Sequence, residues 1–344
     1  MLKAVWSKYT LKFLRQSRTS RDVLDVKDTY FIKIDDTDNP SVTGYGEAAV
    51  FRGLSADDTP DFTDILDDCC RSINNLDIAS VPSSAIRMGI ETALADMKNG
   101  GYQEPFIHGI IPPTRINGLI WLGDMQFMLN EIEIKLRQGF HCLKLKIGGI
   151  DFENELDILR SIRQRYGAEI LELRLDANGA FSPKEALNRL DRLSAYEIHS
   201  IEQPIKAGQL HEMAKLCQTS PIPIALDEEL IGIKTCDEKN HIIDTVQPAY
   251  IILKPTLCGG FAESDEWIEI ARKKGIGWWA TSALESNIGL NAIARWAAAH
   301  KVTMPQGLGT GQLYTNNITS PLRLDGEYLT SNSDNKWTFD AIRF

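Results

Sequence analysis

Five charged residues recur at nearly even spacing through the middle of this 344-residue chain. Lys146, Asp176, Glu202, Asp227 and Lys254 each close a short apolar run, at intervals of 30, 26, 25 and 27 residues. Each interval is about the length of one strand–helix unit, so the five charges fall at equivalent points of successive units. In a closed barrel such points form a ring at the C-terminal mouth, where barrels of this kind place their active sites. A lone charge at a strand end commonly just meets solvent, but five in phase call for a shared purpose. Asp176, Glu202 and Asp227 offer hard oxygen ligands from neighbouring strands. Converging carboxylates repel, and a divalent cation relieves that repulsion; Mg²⁺ suits them best, with Mn²⁺ the alternative.

Lys144 adds a second amine two residues before Lys146. Side chains alternate along a strand, so the two lysines share one face while Leu143, Leu145 and Ile147 fill the other. Facing solvent, this would be an ordinary half-exposed strand. Facing an enclosed site, both burial and mutual repulsion would lower the lysine pKa values. A free lysine near 10.4 is only about one part in two thousand neutral at pH 7, so a drop of ~3 units, roughly 4 kcal/mol, would yield a usable base.

The elements that must position these groups can be read from the pattern. Residues 1 to about 55 predict an antiparallel meander with strands at Lys3–Thr10, Thr29–Asp35 and Gly44–Phe51. The basic segment Arg15–Arg21 reads as a polar loop. Helices are predicted over Asp61–Ile78 and Ser83–Lys98. From about residue 115, short apolar runs alternate with helical patterns of 12–15 residues, the mark of a parallel sheet. The predicted strands are Ile116–Leu122, Cys142–Ile147, Glu172–Asp176, Ser200–Glu202, Ile224–Asp227, Tyr250–Lys254 and Gly277–Ser282. An irregular eighth lies within Thr303–Gly309. The expectation is an α/β chain, a (β/α)7β TIM-like barrel over residues 111–314. An α+β capping domain over residues 1–110 and a tail over 315–344 that returns to it would complete the chain. Trp121, Trp278 and Trp279 are expected in the core.

Composition narrows the function. The net charge of −10 argues against nucleic acid or an anionic membrane as the main partner. No run of 18 apolar residues suggests a membrane span, and the N-terminal residues lack the apolar core of a signal peptide. The six cysteines show no CxxC spacing, which fits reduced thiols in a cytoplasmic protein. A small-molecule carboxylate is the expected partner; the oligomeric state stays open.

The set Lys144-Leu145-Lys146, Asp176-Ala177-Asn178, Ile201-Glu202-Gln203-Pro204, Leu226-Asp227-Glu228 and Leu253-Lys254-Pro255 resembles the enolase superfamily, in its muconate-lactonizing-enzyme-like branch. That resemblance implies proton abstraction alpha to a carboxylate, with Mg²⁺ holding the carboxylate and stabilising an enediolate. Carried over by position, Asp176, Glu202 and Asp227 would ligate the metal. Lys146 would be the base, Lys254 would stand on the opposite face, and Lys144 would keep the pKa of Lys146 low.

Within the branch, three features resemble the o-succinylbenzoate synthase family. Thr281–Gly289 has its Ser-rich, Glu-Ser-containing segment, with Ser282 and Glu285 as candidate substrate contacts. Gln306–Leu313 has its Gly-rich eighth-strand segment, in which Gly307 would allow a flat ring to approach. Arg174, two residues before Asp176, and Asn178 are further candidates, although Arg174 reads equally well as a partner of the carboxylates. The implied reaction is syn-dehydration of 2-succinyl-6-hydroxy-2,4-cyclohexadiene-1-carboxylate to 2-succinylbenzoate, in menaquinone biosynthesis. Arg18 and Arg21 are expected to help close over the succinyl tail. The alternatives on this scaffold are a dipeptide epimerase and an N-acylamino-acid racemase. Epimerases of this kind hold the substrate ammonium with an Asp-x-Asp pair, whereas residues 303–314 contain no acidic residue.

Overall fold

The computed structural model describes residues 1–18, 23–332 and 334–344. Three antiparallel strands open the chain: β1 (Leu2–Arg18), β2 (Val23–Asp36) and β3 (Thr43–Ala48). The β1–β2 ribbon extends well past the predicted Thr10, so the expected polar loop at 15–21 is strand on either side of residues 19–22. Helices α1 (Phe62–Arg71) and α2 (Ser84–Lys98) cover one face of this sheet through Ile32, Ile34, Leu66, Ile86 and Ile90. The first ends seven residues earlier than predicted. Asn74 instead exchanges hydrogen bonds with the Leu2 backbone, a local use of side-chain amides that competes with helix. Ser83 caps α2 by accepting from the Ile86 N–H, as its sequence position predicts.

β4 (Thr114–Arg115) follows, and the barrel strands and helices then alternate: β5 (Gly118–Ile120), α3 (Met125–Arg137), β6 (Cys142–Lys146), α4 (Phe152–Arg163), β7 (Glu172–Asp176) and α5 (Pro183–Ser194). They continue as β8 (Ser200–Glu202), α6 (Leu210–Thr219), β9 (Ile224–Leu226), α7 (Cys236–Val246), β10 (Tyr250–Leu253), α8 (Gly260–Lys273), β11 (Gly277–Ala280) and α9 (Asn287–Ala299). Strands β5 to β11 form one parallel sheet in sequence order. Residues 306 and 307 close it, for Gln306 pairs with Ile116 and Gly307 with Thr281, both parallel. The eighth strand is thus a single pair of bridges. Pro305 and three nearby glycines leave little regular ladder to form. β12 (Leu322–Asp325) and β13 (Tyr328–Ser331) make a small antiparallel sheet with β4.

The capping sheet sits across the C-terminal mouth of the barrel. The Leu14 N–H donates to Leu313 O at 2.8 Å, and Phe13 bridges Tyr314. After the barrel the chain runs back along β1, with Asn316 bonding the Thr10 and Lys12 backbone and Phe339 stacked on Tyr45.

Candidate active site

The strand register sets the charged groups side by side. Lys146 pairs with Asp176, and Asp176 with Glu202, across β6, β7 and β8. Gln203 fixes the next step. Its side chain is fully buried, and its Oε1 accepts from the backbone N–H groups of Asp227 and Glu229, tying the end of β8 to the turn after β9. Asp176, Glu202 and Asp227 are each at most 2% exposed.

Three lysines interleave with these carboxylates. Lys144 pairs with Asp176 at 3.0 Å and with Glu202, while Lys254 pairs with Asp227. Lys146 reaches Asp176 at 3.0 Å and donates to Asn178 Oδ1 at 2.6 Å. Asn178, held at φ +43, passes the contact on through its Nδ2 to Glu228 Oε1 at 3.0 Å. The expectation that burial and mutual repulsion would lower the lysine pKa values of the Lys144–Lys146 pair fails at Lys144. Burial does oppose the charge of Lys144, but Asp176 and Glu202 outweigh it and raise its pKa. Burial is likewise outweighed at Lys254 by Asp227 and Glu202. Opposite charge at contact distance is the stronger force here.

Glu202 shows what the set lacks. It forms an ion pair with Lys144, yet both of its buried oxygens lack a hydrogen bond of acceptable geometry. Burial and the neighbouring Asp176 push its carboxyl well above the usual range. A dication among the three carboxylates would restore the charge balance, so the donor set fits a hard metal ion. Among the described residues, no three carboxylate, imidazole or thiol groups already encircle such a site; the lysines stand between them.

Above the ring lies a cleft of about 850 Å³, part of it open to solvent. Lys144, Lys146, Asp176, Asn178, Glu228 and Lys254 line one wall. The capping domain adds Phe51 and Leu54, and the barrel seam adds Asn117, Leu119, Trp121, Thr281, Ser282, Gly307 and Thr310. Trp121, expected in the core, faces this cleft, and Trp278 is only partly buried. Trp279 is core, 1% exposed.

The other expected contacts divide. Ser282, Gly307 and Asn178 line the cleft. Glu285 does not; it is fully buried behind Ser282, whose hydroxyl donates to it at 2.5 Å. Thr256 also donates to Glu285, and Thr310 donates to Ser282 Oγ at 2.8 Å. Glu47 of the capping sheet accepts from the Ser286 and Gly289 N–H groups at the start of α9. Lys27 is buried and without a hydrogen-bond partner; burial lowers its pKa, and the nearby Glu47 and Glu285 oppose that shift.

Arg174 is a clear correction. It points into the barrel on the same face as Asp176 but one layer lower, away from the cleft. There it pairs with Glu172 at 2.7 Å, donates to Pro305 O and stacks over Trp279, its charge 4.3 Å from the ring centre. A same-face reading gives the side, not the depth. Arg21 and the side chain of Arg18 lie outside the described residues. Sequence reasoning missed Asn117, Thr281, Thr310, Phe51 and Trp121. All are neutral, and nothing in a strand or turn pattern marks such a residue as lining a cleft.

Comparison with known proteins agrees with this geometry. The family described as enolase C-terminal domain-like matches residues 128–333. The chain is 44% identical to the o-succinylbenzoate synthase of Desulfotalea psychrophila over 93% of its own length and 96% of that protein. The chain belongs to the enolase superfamily. Its fold matches the crystal structure of MenC from the same organism at a TM-score of 0.79, with 41% identity over 95% of this chain and 99% of that one. A dipeptide epimerase from Enterococcus faecalis, solved with Mg and a dipeptide, gives a TM-score of 0.84 over 100% and 99% of the two chains at 21% identity. Across this superfamily the backbone alone therefore does not separate one activity from another.

Proposed function

We propose that this chain is an o-succinylbenzoate synthase, a carbon–oxygen lyase. It dehydrates 2-succinyl-6-hydroxy-2,4-cyclohexadiene-1-carboxylate to 2-succinylbenzoate, a step of menaquinone biosynthesis in the cytoplasm. The observation that carries this reading is the 44% identity, which runs almost end to end. The dipeptide epimerase relative reaches 29% over 67% of the chain, and residues 303–314 hold no carboxylate to receive a dipeptide ammonium.

In this reading residues 1–110 cap the barrel of residues 111–314; of the tail, Asn316 and Phe339 return to the cap, while β12 and β13 pair with β4 at the other end of the barrel strands. Asp176, Glu202 and Asp227 would hold Mg²⁺, or Mn²⁺ in its place, which when bound supplies the positive charge that stabilises an enediolate. Lys146 takes the proton from the ring carbon next to the carboxylate. The same amine, now an ammonium, returns that proton to the departing hydroxide on the same face, so that one C–H and one C–O bond break and water leaves an aromatic ring. Asn178 aims Lys146 through the 2.6 Å contact. Lys144 keeps its charge beside Asp176 and Glu202, and Lys254 sets a fixed cation on the opposite face.

The purified protein, Mg²⁺ and the cyclohexadiene substrate make the test, followed by loss of diene absorbance. Rapid turnover that a chelator abolishes and Lys146→Ala removes is the expected result. No turnover would overturn the reading. A second reading, N-acylamino-acid racemase, rests on the two lysines at opposite ends of the carboxylate row. Deuterium entering N-succinyl amino acids from heavy water would support it.

A further inference from the structure

Among the described residues, two neutral polar atoms lining the cleft have no hydrogen-bond partner. Asn117 Oδ1 and Thr281 Oγ1 are buried without a hydrogen bond, on residues 3% and 9% exposed, and both side chains line the cleft. Neighbouring hydroxyls are already committed, Ser282 to Glu285 and Thr310 to Ser282. A buried polar atom left unmade costs free energy, so native proteins rarely keep one without a use.

The two atoms flank the barrel seam. Ile116 pairs with Gln306 and Thr281 with Gly307, so one residue on, Asn117 stands level with Gly307. Leu253 pairs with Ala280, which puts Lys254 next in the same row. Asn117, Gly307, Thr281 and Lys254 therefore share one inward-facing layer across four neighbouring strands. The middle position has no side chain, and a Cβ at Gly307 would lie 2.4 Å from Thr281 Oγ1. The glycine leaves an opening between a carboxamide and a hydroxyl.

We propose that Asn117 and Thr281 form a specificity-determining pair that holds an uncharged oxygen of the substrate, a hydroxyl or a ketone carbonyl, across Gly307. The proposal rests on the function given above. Neither group carries charge, and the nearest cation in the row, Lys254, is committed to Asp227, so a carboxylate has no counter-charge here. A hydroxyl would donate to the carboxamide oxygen and accept from Thr281. A ketone would accept from Thr281 and from the carboxamide N–H once that group is turned. The substrate has one of each, the ring hydroxyl that departs and the ketone of the succinyl arm.

The test uses Thr281→Val, Asn117→Leu, the double variant and Thr281→Ser. It measures kcat/KM on the cyclohexadiene substrate, and Kd for 2-succinylbenzoate and for its analogue with the ketone reduced to a methylene. Each removal should lower kcat/KM about 10-fold, while Thr281→Ser, which keeps the hydroxyl, stays within about 3-fold of wild type. If the ketone is held, wild type binds the product about 10-fold more tightly than the analogue, and the variants lose that preference. If the departing hydroxyl is held, product and analogue bind alike and the loss is confined to kcat/KM. An unchanged kcat/KM in the double variant overturns the pair. Thr281→Val is isosteric and decides alone if Asn117→Leu does not fold. Absence of turnover in wild type would overturn the proposed function instead.

Discussion

The two walls of the cleft are built on opposite principles. Along β6 to β10, three carboxylates and three lysines are packed together under the capping sheet, all of them ion-paired. Across the seam, from β11 through Gly307 to β5, the lining is apolar or neutral, and its two unpartnered atoms belong to a carboxamide and a hydroxyl. The first wall has charge to move and stabilise. The second can only discriminate, because a neutral donor or acceptor is worth one ordinary hydrogen bond. One scaffold can thus keep its chemistry and change its substrate by editing the seam.

If that division holds, Lys146→Ala should cost the most, ~10³–10⁴-fold in kcat. A loss of similar size from any seam variant would break the comparison. Chelation should come next. Turnover should fall at least ~100-fold and return when Mg²⁺ is added back, and Glu202→Gln should weaken Mg²⁺ binding measured by calorimetry. Gly307→Ala puts a Cβ against the Thr281 hydroxyl; about a 10-fold rise in KM with a smaller change in kcat is expected. The reverse split, with kcat falling and KM unmoved, would assign the seam to chemistry.

Two stability experiments probe the contacts that hold the walls under their cap. Lys27→Met removes the buried amine whose desolvation Glu47 and Glu285 oppose, and denaturant unfolding should show a loss of ~1–3 kcal/mol. Glu91, on α2, accepts from the Phe261 N–H at the start of α8, and burial lifts its carboxyl to about 7 from 4.5. The folded state therefore holds the proton more tightly than the unfolded chain. Its stabilising contribution is complete below pH 4.5 and is lost as pH rises through 7, by up to ~3 kcal/mol. The stability difference between wild type and Glu91→Gln should follow that curve while the pH profile of kcat/KM does not. A flat difference between pH 5 and 8 would refute it.

Much of this protein was legible in the order of its residues. Strand ends must carry charge into a mouth if they carry it in phase, so the spacing of Lys146, Asp176, Glu202, Asp227 and Lys254 pointed to both the barrel and the ring of charge at its mouth. The strands of the capping meander and the helix cap at Ser83 also followed from local pattern. Depth, pairing and neutrality did not. Arg174 shares a face with Asp176, yet only the closed barrel shows that it lies one layer lower, against Glu172 and Trp279. Lys144 and Lys254 keep their protons because of carboxylates brought from other strands, a contact that no local stretch contains. Asn117 and Thr281 are 164 positions apart in the chain and come to flank one strand only where residues 306 and 307 close the sheet. Periodicity reports which way a side chain faces; its distance from every other side chain is decided by tertiary closure.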